Sequence, residues 1–107
     1  MSKRNRTEFP VFFCGKVVFE FYNNDDENLK RRSLTSLCKE LRKDFNVSAT
    51  AIEENFLENP ERGTVIFSIA STSKALGKEH ADKVLKFLDS HAIGRIISDN
   101  LIDCEME

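Results

Sequence analysis

The stretch from Lys30 to Ser48, KRRSLTSLCKELRKDFNVS, constrains the fold more than any other part of this chain. Its apolar side chains recur three and four residues apart, which is the spacing of one face of an α-helix. A helix with such a stripe must bury it against another layer of structure. Asn46 is predicted to close this helix just before a strand begins. The predicted stripe consists of Leu34, Leu37, Cys38, Leu41 and Phe45.

Four segments are predicted to be strands: residues 9–22, 47–53, 64–70 and 95–104. The first has the side-chain alternation of a strand with one buried face, because its apolar residues share one parity. The third is apolar on both parities, which is typical of a central strand. A polar connection with an Asn59-Pro60 turn signal separates the second strand from the third. The buried parity of the first strand is Val11, Phe13, Gly15, Val17, Phe19 and Phe21.

A second helix is predicted to begin after the possible caps at residues 71–73 and to run to about His91. Gly77 lies near its start, on the same side as the stripe. It marks either the true beginning of the helix or a close approach to the sheet. The predicted stripe of this helix is Ala81, Val84, Leu85 and Leu88.

The resulting order is β-α-β-β-α-β, for which right-handed crossovers give a ferredoxin-like plait. We therefore predict an α+β fold: a four-stranded antiparallel sheet with two helices on one face. Residues 1–8 are expected to be a loose tail, and residues 9–107 a single domain. The other sheet face is expected to be open, as a pairing surface between subunits or the floor of a ligand site. Its apolar candidates are Val18, Tyr22, Ile52 and Ile66.

The sequence contains no recognisable catalytic or cofactor motif, so we expect a non-enzymatic protein without a cofactor. His80 and His91 have no further ligand at metal-site spacing and are expected to be solvent-side or edge residues. Three widely spaced cysteines, Cys14, Cys38 and Cys104, are interpreted as reduced thiols that act as small hydrophobes. The lack of a signal peptide or a membrane-length apolar run predicts a cytoplasmic protein without a membrane partner.

Charge is segregated along the chain, although the overall net charge is only −2. Residues 30–45 carry six basic side chains against Glu40 and Asp44, a net of +4. At about 100° per residue, Arg31 and Arg42 flank the buried arc, and the remaining cations continue toward the back of the helix. This gives a predicted anion-binding or RNA-binding surface. Its residues are Lys30, Arg31, Arg32, Lys39, Arg42 and Lys43.

Spaced cations on a helix suit a phosphate backbone, but they also suit a solvated face with local ion pairs or a contact with another subunit. The net negative charge argues against indiscriminate nucleic-acid binding, and no DNA partner is predicted. The RNA-recognition motif is disfavoured as well, because Thr64 and Ile66 stand where its stacking aromatic rings should be.

The same helix segment resembles the bacterial YlxP-like family of small domains of unknown function. The resemblance lies in Lys30-Arg31-Arg32, in the leucine spacing, and in the run from Phe45 to Ser48. It implies a ferredoxin-like fold and a gene among translation and ribosome-maturation genes, near ribosome-binding factor A. It implies no catalytic residue. The family's Leu-Trp-Gln-Arg string is replaced here by residues 59–62, without tryptophan.

The first functional hypothesis is therefore a binding module near the ribosome that touches ribosomal RNA or a ribosome-associated protein. The second is an interaction or regulatory protein that forms a homodimer through its open sheet face.

Overall fold

The computed structural model describes residues 9–21, 27–52, 62–91 and 94–106. The predicted tail at residues 1–8, the Asn59-Pro60 turn and Tyr22 lie outside the described residues. Six elements are present in the order β-α-β-β-α-β, as predicted. They are β1 (Val11–Phe21), α1 (Glu27–Asp44), β2 (Ser48–Ile52), β3 (Arg62–Ser71), α2 (Lys74–His91) and β4 (Gly94–Glu105).

The strands form one sheet in the order β2-β3-β1-β4, and every neighbouring pair is antiparallel. The predicted α+β class with a four-stranded antiparallel sheet is thus confirmed. β1 and β3 are the central strands, whereas β2 and β4 form the two edges. β2 is much the shorter edge, with five residues against twelve in β4.

Both helices pack on the same face of the sheet. Gly77 of α2 lies against the ring of Phe13, and Leu34 of α1 lies beside Phe21. Phe13 and Phe21 point to one side because both are odd-numbered positions of the alternating strand β1. All six elements contribute to the core beneath the helices. Its largest fully buried hydrophobic side chains are Phe13, Phe19, Phe67, Leu41 and Leu88.

The helix boundaries have the local causes that the sequence predicts. Asn46 adopts φ 54° directly after α1, the left-handed conformation that commonly ends a helix. The Leu76 amide of α2 donates a hydrogen bond to the Ser73 hydroxyl at 3.3 Å, which makes Ser73 an N-cap. Gly77 lies inside α2, so its role is the close approach to the sheet rather than the start of the helix.

The sequence suggests a simple alternation in β4 that places Ile97 on the same side as Leu101. The strand departs from this alternation. Val18 is paired with Ser98 but Phe19 with Ile96, so Ile97 is an extra residue in a β-bulge. The bulge shifts the side-chain phase of the strand by one position. As a result, Ile96 and Leu101 are the two residues of β4 that pack against the core.

All three cysteines are free thiols, as interpreted, but they differ in burial. Cys38 is buried, whereas Cys14 and Cys104 are exposed. Both exposed thiols belong to the even-numbered parities of β1 and β4, which face away from the helices. His91 is exposed as predicted, but His80 is half-buried and donates from Nε2 to the Phe45 carbonyl oxygen at 2.6 Å.

Candidate anion-binding surface on helix α1

The C-terminal end of α1 and the edge strand β2 are held side by side. After the left-handed turn at Asn46, the chain reverses and β2 begins at Ser48. Nη1 of Arg42 then donates a hydrogen bond to the carbonyl oxygen of Ala49 at 2.7 Å. This bond fixes one predicted site residue and joins the last turn of the helix to the strand.

A groove of about 200 Å³ lies between α1 and β2. Arg31, Thr35 and Arg42 of α1 line it on one side, and Thr50 and Ala51 of β2 line it on the other. The two arginines are eleven positions apart, so they stand roughly 16 Å apart along the helix axis. Such a groove suits an extended anionic chain with several negative groups better than a single small anion. The remaining lining residues are Leu34 and Cys38.

Cys38 lies in the wall of this groove but does not act as a thiolate there. Burial raises the pKa of its thiol above the ordinary value of 9.0, and the nearby positive charge of Arg42 only partly opposes that rise. A nucleophilic cysteine needs a lowered pKa and access to solvent. The Cys38 side chain is only 3% exposed, so its role is packing.

Lys39 and Lys43 are exposed on the solvent side of α1. Neither makes an ion pair with a carboxylate among the described residues, whereas three cations elsewhere do. Those pairs are Lys74 with Asp103 at 4.0 Å, Lys78 with Asp82 at 3.0 Å, and Arg95 with Glu20 at 2.9 Å. The charges of Lys39 and Lys43 are therefore directed to solvent and available to an anionic partner.

Of the six predicted site residues, only Arg31 and Arg42 line the groove, and Arg32 and Lys30 are placed differently from Lys39 and Lys43. Arg32 is exposed and lines a separate depression with Glu40 and His91, on the flank of α1 away from β2. Lys30 is only 2% exposed, so it does not belong to the positive surface. The reason is its helical phase: about 100° per residue places Lys30 roughly 40° from Leu34, inside the apolar arc. Its aliphatic stem is therefore carried into the protein.

The sequence did not predict that β2 contributes residues to the groove. Thr50 and Ala51 form one wall of the groove, yet nothing in their local sequence marks them as part of a site. Only the docking of α1 against the edge strand brings them beside Arg31 and Arg42. We name the set Arg31, Thr35, Lys39, Arg42 and Lys43 of α1 the cationic flank.

Other kinds of site receive no support from the described residues. Nowhere in that part of the chain do three His, Cys, Asp or Glu side chains stand together as a metal site requires. Within the same ranges, neither helix combines enough length with enough apolar character to cross a bilayer.

Comparison with known proteins gives a family and a fold. No curated protein matches the sequence. Among solved structures, the chain is similar to the de novo designed protein Foldit4, with a TM-score of 0.58 and 12% sequence identity over 92% of this chain and 99% of that one. At this identity the similarity concerns the fold alone. The model of the family described as "Protein of unknown function (DUF503)" matches residues 15–100. The chain therefore belongs to the DUF503 family, whose function is unknown.

Proposed function

We propose that this protein is a non-enzymatic cytoplasmic module that binds single-stranded RNA near the ribosome through its cationic flank. The observation that carries the proposal is the state of Lys39 and Lys43: they are exposed and make no ion pair with any described carboxylate. Beside them, Arg31 and Arg42 line the groove, and the guanidinium group of Arg42 keeps N–H donors beyond its bond to Ala49. This is the arrangement that a phosphate backbone requires.

A single strand fits this surface better than a duplex. The groove has a volume of only about 200 Å³ and its arginines are separated along the helix, so successive phosphates of one chain can follow it. The net charge of −2 keeps the rest of the protein from attracting polyanions. Affinity should therefore come from one surface and depend strongly on salt, with little preference for sequence.

The finer assignments of fold and family belong to the same proposal. The order β2-β3-β1-β4, with both helices on one face, supports a ferredoxin-like plait. The segment from Lys30 to Ser48 supports membership of the YlxP-like group. A gene among ribosome-maturation genes, which that resemblance implies, is the reason for choosing ribosomal RNA as the ligand.

The test measures binding of a fluorescein-labelled single-stranded fragment of ribosomal RNA by fluorescence anisotropy over a salt titration. The double variant Lys39→Glu/Lys43→Glu removes two solvent-side cations without touching the core. We expect affinity to fall on the order of tenfold or more at low salt, and the log–log salt slope to flatten by about 1.4.

A matched control is Lys83→Glu/Lys86→Glu on the exposed side of α2. It changes the net charge by the same amount, and we expect it to keep most of the affinity and the original slope. Equal losses in both double variants would mean a general charge effect and would overturn the assigned surface. A wild-type protein that binds no RNA in the anisotropy assay, but retains a ribosomal protein after nuclease treatment, would overturn RNA as the partner.

A further inference from the structure

The sheet face opposite the helices carries an apolar patch at the end where β1 begins. In the strand register, Phe12 lies between Ala70 of β3 and Cys104 of β4, and Cys14 lies opposite Ile102. The Met106 amide donates to the Pro10 carbonyl oxygen at 2.8 Å, which continues the pairing of the two strands to the edge of the patch. We name Phe12, Cys14, Ala70, Ile102, Cys104 and Met106 the neutral patch.

The neutral patch is open to solvent although its side chains are apolar or weakly polar. Phe12 is 46% exposed, Ile102 64% and Met106 51%. Large apolar side chains that are exposed together, rather than singly, are typical of a contact surface. The described residues thus leave a hydrophobic surface open to solvent at this end of the sheet.

All charged side chains on the described part of this face lie outside the neutral patch. Lys16 occupies the middle of β1, and the others stand together in one row across the strands, where Glu20 is opposite both Arg62 and Arg95. Arg95 is already paired with Glu20 at 2.9 Å. The face is therefore divided into an uncharged half and a charged half.

We propose that the neutral patch is the centre of a twofold contact with a second copy of this chain. A twofold axis places each residue near its own copy, so a charged side chain at the axis would face an identical charge. The neutral patch contains none. A charged partner such as a nucleic acid gains nothing from it, whereas its apolar surface is complementary to itself.

The size of the contact is that of a weak dimer. With the twofold axis through the neutral patch, the two copies overlap only around the end of the sheet where β1 begins, and the charged row at Glu20 lies beyond the contact. Such a contact is smaller than the roughly 1,200 Å² at which stable, specific interfaces begin, so we expect the dimer to dissociate on dilution.

Contact through the outer edge of β4 is disfavoured. This edge strand carries Asp99, Asp103 and Glu105, all of them exposed. Charges along an edge oppose pairing with the same edge of another chain. Asp103 also pairs with Lys74 of α2 at 4.0 Å. The outer edge of β4 therefore does not compete with the open face as the contact between two copies.

The experiment is sedimentation velocity of the full chain over a dilution series from high to low micromolar concentration. We expect a species of twice the 12.3 kDa chain mass that dissociates on dilution. Ile102→Lys places a cation in the neutral patch at a side chain that is already 64% exposed, so the fold should tolerate it. Since its charge would be buried against its own copy, we expect the dimer dissociation constant to rise at least about 30-fold.

The matched control is Leu76→Lys on α2, where the side chain is 55% exposed and lies on the other side of the molecule. It makes the same kind of change and should leave the dimer intact. Maleimide labelling gives a second readout, because Cys104 should react more slowly in the wild-type dimer than in Ile102→Lys.

Three results would overturn the proposal. The first is a wild-type protein that is monomeric at every concentration, whether or not another protein is found to bind the neutral patch. The second is an assembly larger than two copies. The third is equal weakening by Ile102→Lys and Leu76→Lys. The tests of the neutral patch and of the cationic flank use different variants and different measurements. If one proposal fails, the other is therefore not affected.

Discussion

Nη1 of Arg42 donates a hydrogen bond to the carbonyl oxygen of Ala49 at 2.7 Å, and this bond joins the last turn of α1 to the edge strand β2. A guanidinium group has five N–H donors, so one bond leaves several for a ligand in the groove. Arg42 therefore has both a structural contact and the chemistry of the cationic flank. Lys39 and Lys43 carry charge without a structural contact of this kind, which makes them the cleaner residues for testing binding.

Arg42→Ala should lower the free energy of unfolding by about 0.5 kcal/mol, because the lost hydrogen bond is at the surface and is largely replaced by water. Urea denaturation followed by circular dichroism would measure this change. Lys43→Ala, at the next position, is the control and should have a smaller effect. Equal effects would mean that the bond to Ala49 contributes nothing measurable.

Gly77→Ala should destabilise the protein, although the same substitution usually strengthens a helix by about 1 kcal/mol. A methyl group at this position would overlap the ring of Phe13, which is buried and has little room to move. Overpacking of this kind costs about 1 to 3 kcal/mol, so the net change should be a loss. Thermal unfolding would measure it.

The overlap at Gly77 has its own control in Phe13→Leu, which removes the ring. In that background Gly77→Ala should be less harmful than in the wild type, and a double-mutant cycle would show positive coupling. Additive effects would contradict the close approach of α2 to β1.

His80→Ala should lower stability by about 1 kcal/mol, because the half-buried Nε2 no longer donates to the Phe45 carbonyl oxygen. That hydrogen bond connects the middle of α2 to the end of α1. Chemical denaturation would measure the loss, with Glu79→Ala at the exposed neighbouring position as the control. A His80→Ala variant as stable as the control would show that the two helices are held by packing alone.

Cys38 should make stability fall at alkaline pH. Burial raises its pKa in the folded protein above that of the unfolded chain, so the unfolded state loses the thiol proton first as pH rises. The contribution of Cys38 to the free energy of unfolding is therefore fully present below the pKa of this thiol in the unfolded chain. It is lost as the pH rises toward the pKa of the thiol in the folded protein. Urea unfolding from about pH 7 to about pH 10 spans the start of this window.

Cys38→Ala separates this effect from the titration of other groups. The wild type should lose more stability than the variant between the two pH values, although the variant starts lower because it lacks the sulfur's packing. Parallel losses in both proteins would contradict a raised pKa for this thiol.

Short-range patterns were enough to predict the elements. The alternation in β1, the leucine spacing in α1, and the cap residues Asn46 and Ser73 each act over a few positions, and the structure has each of them in its predicted place. These signals are local because backbone geometry repeats every two residues in a strand and every 3.6 in a helix. The helical phase also predicts that Lys30 is buried. A count of the cations along the chain does not show this, because it ignores which face of the helix each one occupies.

The bulge at Ile97 shows where local patterns fail. Nothing in the residues around it marks one position as extra, and its place follows from the pairing of β4 with β1. One inserted residue reverses the side-chain phase beyond it, so the pairing of two distant segments decides that Ile96 and Leu101 face the core.

The sequence by itself determined which segments become strands and helices and which arc of α1 is apolar, because these properties depend on neighbours within two turns. Only the tertiary structure decided that β2 lines a groove together with Arg31 and Arg42, and that Phe12 and Ile102 share an exposed surface. Both arrangements join segments far apart in the chain. Their register is set by the packing of the whole core, which no local pattern contains.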